Sequence, residues 1–218
     1  MANICSNTLA FYSVDKNVVM GFKKLIEDSI RESAWIGNIA TALGFSEDLP
    51  FDSSGWIDEI DNIEKTEKER FAIYAFKVWS ETKWSPCHTF WCEVLDKYNE
   101  INNLTENCIY YDFIADEPGE GIYVNTDKDG IFFTDRIKIE IAYKGNWLDG
   151  IYLCSYDNEE VIEVIRKACS EVDVPEGIIN DALANAWTGE GVDKICKYIE
   201  ENGDYDIYVH FYDEDYYV

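Results

Sequence analysis

The chain has 218 residues, enough to bury a sizeable core as one domain or two small ones. Its 18 Lys and Arg against 44 Asp and Glu leave a net charge of −26, which opposes direct binding to nucleic-acid phosphates or anionic membranes and favours cationic partners, metal cations or simple solubility. With 47% hydrophobic and 15% aromatic residues, it carries far more apolar surface than a disordered acidic chain.

Residues 6–12 read as a first strand, and Asp15 caps a helix whose apolar face is Val18, Val19, Phe22, Leu25, Ile26 and Ile30. A short apolar segment over residues 34–43 ends near Gly44, ahead of a polar connection containing Pro50. Residues 55–62 form a second strand, and 64–70 a charged turn that returns the chain into residues 71–79 as a hairpin. That last run is apolar except at Lys77, the pattern of a strand buried on both faces at the centre of a sheet. After a turn through residues 81–84, Ser85 as N-cap and Pro86 at the first helical position open a helix bearing Cys87, Phe90, Trp91, Val94, Leu95 and Tyr98. Residues 107–115 are a fourth strand. The order β-α-β-β-α-β predicts an α+β fold with a ferredoxin-like core, in which right-handed crossovers place both helices on one face of an antiparallel sheet.

Pro118-Gly119 and Asp129-Gly130 then turn the chain into strands at 121–125, 131–143 and 150–156, a meander that extends the sheet. Asn158 caps a helix that opens with Glu159 and Glu160 and closes with Arg166 and Lys167. Asp173 starts another, residues 192–199 mark a third, and 205–212 are a final strand. Since the core plan supplies helices to one face only, residues 158–201 are expected to cover the other. The division is a ferredoxin-like domain over 1–130 and a sheet extension with a helical layer over 131–218, packed as one compact unit.

Seven scattered cysteines (Cys5, Cys87, Cys92, Cys108, Cys154, Cys169 and Cys196) with no C-x-x-C pair read as reduced core residues. With no leader pattern and no apolar run of about 18 residues, a cytoplasmic location is expected. The two histidines are His88 and His210. Cys92 lies four residues after His88, so thiol and imidazole share a helix face and could serve as two zinc ligands or as nucleophile and base. A structural zinc needs about four ligands and no orienting group is visible, so no catalytic residue, no metal ligand and no cofactor is assigned. Asp127-Lys128-Asp129-Gly130 resembles part of a calcium loop but lacks its spaced ligands, and reads as a turn.

Acid is concentrated in residues 46–64 and 199–218, which contain no Lys or Arg. The second stretch mixes carboxylates with tyrosines, which suits an interface, so Asp204, Asp206, Tyr208, Tyr212, Asp213, Glu214 and Asp215, together with Trp84, are the expected partner-binding residues. The competing reading is an edge strand protected from aggregation by charge.

Two pieces carry a family resemblance: the opening Met1-Ala2-Asn3-Ile4-Cys5-Ser6-Asn7, and Glu81-Thr82-Lys83-Trp84-Ser85-Pro86 after an apolar strand, followed by Glu117-Pro118-Gly119. They resemble the YubB-like proteins of plasmids and phages, in which Ile4 is usually Trp and Cys87 is a second proline. The resemblance covers roughly residues 1–125 and implies a ferredoxin-like domain and an origin in mobile elements or gut-type bacteria, with no catalytic residues to carry over. The expected function is non-enzymatic: an acidic and aromatic surface engages a basic protein, for instance as a nucleic-acid mimic that inhibits a host defence complex. Two other readings stay open, a carboxylate- or metal-dependent enzyme near residues 79–84 and a structural module that self-associates through a sheet edge.

Overall fold

The computed structural model describes residues 3–46, 51–68, 71–105, 108–143, 146–147, 151–154, 163, 166–167, 201 and 205–215. The chain is α+β and divides into two units, Met1–Phe133 with Asp213–Val218, and Thr134–Tyr212. In the first unit β1 (Ile4–Ser13), α1 (Lys16–Ser29), α2 (Gly37–Ala42), β2 (Gly55–Ile60), β3 (Glu64–Lys68), β4 (Phe71–Lys83), α3 (His88–Ile101), β5 (Tyr110–Glu117) and β6 (Ile122–Asn125) follow in order. The sheet has six strands in the order β2-β4-β1-β5-β6, with β3 also paired to β4. Every one of these pairings is antiparallel.

Alternation along the strands sends Leu9 and Phe11 of β1, Phe76 and Val78 of β4, and Phe113 and Ala115 of β5 to one face, where all are buried. The helices fill that face. Asp15 caps α1 by accepting from the Asn17 N–H at 2.8 Å, and Val19, Phe22 and Ile26 then fall at helical spacing on the buried side. Phe11 sits between the layers, its ring 5.1 Å from Phe22 of α1 and 5.2 Å from Trp91 of α3.

Three sequence expectations are corrected. The charged run over 64–70 is a strand for residues Glu64–Lys68, in register with β4 from Glu64 opposite Ala75 to Lys68 opposite Phe71. Its charge pattern fits an edge strand, whose Glu64, Lys65 and Glu67 stay in water while the backbone pairs on one side. Secondly, β4 runs on to Lys83, and the helix after it begins at His88 with Cys87 as N-cap, so Ser85 and Pro86 precede it. Trp84 (φ 69°) and Cys87 (φ 53°) both take the left-handed conformation, and the Thr82 hydroxyl donates to the Ser85 carbonyl, which ties Ser85 to the strand end.

Thirdly, the run read as one strand over 131–143 is two things. The strand proper is β7 (Ile137–Tyr143), which belongs to a separate four-stranded antiparallel sheet with β8 (Asn146–Trp147), β9 (Ile151–Leu153) and β10 (Tyr205–Phe211), so the meander extends the first sheet only as far as β6. Ile131-Phe132-Phe133 instead forms a loop of the first unit. A carboxylate oxygen of buried Asp127 accepts from the N–H groups of Phe132 at 2.5 Å and Phe133 at 2.9 Å, and the Asn125 side-chain amide donates to the Phe133 carbonyl at 3.1 Å. Held this way, the loop lies on the second face of the sheet, where Phe132 meets the Tyr12 ring at 5.0 Å and Lys77 Nζ donates to the Phe132 carbonyl at 2.9 Å. The helices expected to cover that face, residues 158–201, lie outside the described residues except at positions 163, 166, 167 and 201.

Candidate functional site

The end of the first sheet that holds the starts of β1 and β2 and the finish of β4 collects four large, solvent-reached apolar side chains: Ile4 (43% exposed), Trp35 (37%), Trp56 (40%) and Trp84 (48%). Register explains the grouping. Ile4 pairs with Lys83 across β1 and β4, and Trp56 pairs with Glu81 across β2 and β4. Lys83 Nζ lies 5.4 Å from the centroid of the Trp56 ring, within cation–π range. Trp35 bridges to Trp56 between two backbone hydrogen bonds, Ile36 N–H to the Gly55 carbonyl (3.0 Å) and Ile57 N–H to the Ala34 carbonyl (2.9 Å), the wide-spaced kind of pair in which side chains come closest. Gly55 lets β2 lie close against β4, since a Cβ there would stand 2.6 Å from the Thr82 methyl.

A buried polar support lies beneath. The Asn7 amide donates to the carbonyls of Cys5 (3.0 Å) and Ser80 (3.2 Å) and to the Thr82 hydroxyl (2.9 Å), fixing the end of β4 against β1. Cys5 and Cys87 are buried beside it, and burial pushes both thiols up to about 12, so they are inert packing groups at neutral pH.

His88 and Cys92 lie on one face of α3, with Cys92 Sγ 3.5 Å from His88 Nε2, and Tyr111 of β5 completes a cluster. The Tyr111 hydroxyl hydrogen-bonds His88 Nδ1 and sits 3.8 Å from Cys92 Sγ. Burial moves all three groups the same way in effect: the thiol and phenol are pushed up and the imidazole down, so each favours its neutral form. A nucleophilic thiol needs the opposite shift, toward thiolate. The cluster thus acts as a hydrogen-bonded seam between α3 and β5. Among the described residues no three His, Cys, Asp or Glu side chains converge as metal ligands.

A cavity of about 240 Å³ on the second face is lined by Asp61, Asn62, Glu64, Thr66, Lys77 and Phe132, among others. It brings two carboxylates near residues 79–84 but no histidine or thiol, and its lysine is already bonded to the Phe132 carbonyl. In the second unit, Glu140 of β7 binds both Lys138 Nζ (3.1 Å) and His210 Nε2 (3.2 Å), and Tyr208 stacks on His210 with centroids 6.2 Å apart.

The residues expected to bind a partner fall in both units. Trp84 belongs to the indole-bearing sheet end, and Tyr208, 44% exposed, to the second unit. Asp206 lies on β10 opposite Ala142, Tyr212 is buried, and Asp204 lies outside the described residues. Asp213 pairs with Val124 at the β6 edge, donating its N–H to the Tyr123 carbonyl (2.8 Å) and accepting from Asn125 N–H (2.9 Å); Glu214 follows it, and Asp215 forms an ion pair with Lys128 at 2.5 Å. Trp35 and Trp56 were missed by sequence reading. The signal available was Trp56 inside the acid-rich stretch 46–64 and Trp35 upstream of it, with no Lys or Arg between the two indoles. Compared with known proteins, the chain matches no family model, no curated protein and no solved structure.

Proposed function

We propose that this is a non-enzymatic binding protein, of YubB-like and mobile-element kind, that engages a basic protein through an acidic and aromatic surface. The ferredoxin-like assignment rests on the strand order β2-β4-β1-β5, with α1 between β1 and β2 and α3 between β4 and β5; β3 and β6 are then additions to a split βαβ core. The functional reading rests on one observation above the rest: in a chain of net charge −26, exposed indoles gather at a sheet end where carboxylates outnumber cations. Exposed aromatics in a negative field suit recognition of Lys- and Arg-rich surfaces, because the ring faces and the carboxylates both attract cations. A chain of this charge that imitates nucleic acid and blocks a basic nuclease or defence complex is one form of this reading.

Affinity capture from native lysate at low and high salt tests it. Basic proteins released as salt rises are the expected result, since screening weakens attraction between exposed charges. Capture of acidic or neutral proteins, or capture indifferent to salt, overturns the reading. An enzyme acting through Asp61 and Glu64 has weaker support, because the cavity that holds them brings no further reactive group.

A further inference from the structure

Building on the basic-partner reading, we propose that the docking point is the Trp56 ring and that its occupant is an extended segment of a basic protein carrying arginine or lysine, whose cation takes the place now held by Lys83. The ring face is demonstrably suited to a cation, since Lys83 Nζ lies 5.4 Å from its centroid. Lys83 belongs to this chain and reaches the ring from a neighbouring strand, so it acts as an internal stand-in that a partner's guanidinium can displace. Guanidinium stacks on an indole better than ammonium does and is more weakly hydrated, which favours the exchange.

Charge complementarity supports the choice of occupant. Across residues 3–7, 52–59 and 80–86, which make up this sheet end, Asp52, Asp58, Glu59 and Glu81 stand against Lys83 as the one Lys or Arg. Glu81 of β4 is paired in register with Trp56 on the neighbouring strand, so a carboxylate stands beside the ring. When Lys83 leaves the ring, a partner cation meets an indole face with Glu81 at its rim, and Trp35, bridged to Trp56, adds exposed apolar area beside it. A carboxylate-bearing or phosphorylated ligand would meet the same rim as repulsion.

The test uses the full chain, an arginine-glycine repeat peptide and the same peptide with citrulline for arginine, with binding followed by tryptophan emission and calorimetry. The arginine peptide binds and the citrulline peptide does not. Trp56→Ala weakens binding by about two- to fivefold, the worth of one exposed cation–π contact, and Trp56→Phe retains part of it. Lys83→Ala tightens binding more than Lys97→Ala does, although both remove one positive charge; Lys97 pairs with Glu100 on α3, away from the ring. Native-like circular dichroism of each variant keeps the comparison on binding. Equal affinity of Trp56→Ala and the native chain, or equal effects of the two lysine changes, overturns this docking point while leaving the basic-partner reading standing. Failure of the arginine peptide to bind at low salt removes both.

Discussion

Asp127→Ala offers a sharp test of how the second face of the sheet is covered. Asp127 is 2% exposed, and one of its carboxylate oxygens accepts from the Phe132 and Phe133 N–H groups at 2.5 and 2.9 Å, while its own N–H donates to the Asn125 side chain at 3.0 Å. Hydrogen bonds to a charged acceptor contribute about 1.5–3 kcal/mol each. Two are lost in the variant, and partial rehydration of the freed N–H groups recovers some of that, so a destabilisation of about 2–4 kcal/mol is expected. Asp127→Asn keeps a carbonyl oxygen in place without the charge, and about half the loss is expected. Urea unfolding followed by tryptophan emission gives the magnitude, and hydrogen exchange gives the location: the Phe132 and Phe133 amides lose protection while those of β1 and β4 keep theirs. A loss under about 0.5 kcal/mol, the range of an ordinary surface change, would refute the idea that this carboxylate holds the loop on the sheet.

Phe11→Ala removes the ring packed between Phe22, Phe76 and Trp91, and a cost of about 3–5 kcal/mol is expected by the same unfolding assay. Cys5 and Cys87 should resist iodoacetamide in the native chain while exposed Cys154 reacts first among the cysteines of the described residues, as mass spectrometry of the alkylated peptides would show; early modification of Cys5 contradicts the burial assigned to it. Their folded values of about 12 against an ordinary value of 9.0 also set a pH dependence: the stability they contribute is intact below about pH 9 and is lost as pH climbs toward 12, because the unfolded thiols ionise first. For His88 the sign is reversed. Burial holds the imidazole below its ordinary value of 6.5, so its contribution is present above that pH and fades as the solution is acidified, and proton NMR should find the ring still neutral when a free histidine has begun to charge.

Local rules made α1 and the core of β4 legible from sequence, because an Asp cap, a helical apolar stripe and an unbroken apolar strand each need only neighbouring residues to be understood. The strand β3 was hidden by its own charges. Glu64-Lys65-Thr66-Glu67 reads as a turn by composition, and only pairing with β4 makes it a strand. Ile131-Phe132-Phe133 misled in the opposite direction: three apolar residues next to a true strand look like its beginning, and the Asp127 and Asn125 bonds that bend them onto the sheet come from side chains several residues upstream. The helix start failed for a third reason, since Ser85-Pro86 has cap chemistry but Thr82 and the left-handed Trp84 and Cys87 settle the chain differently. At the candidate site, Trp84 was visible as an aromatic in a turn. Trp35 and Trp56 join it only through a bridge between segments 21 residues apart and a register with β4, which no local pattern encodes.

Exposed indoles in a negative field should be met by cations more readily than by anions, and quenching of tryptophan emission by caesium and by iodide at matched ionic strength measures that preference. With each quencher referred to free N-acetyltryptophanamide, caesium should reach the emitting indoles of the native chain more effectively than iodide, and the difference should shrink when Trp35, Trp56 and Trp84 are together replaced by Phe. Equal quenching by the two ions, or an unchanged difference in the triple variant, would mean that these indoles do not sit in a cation-attracting field.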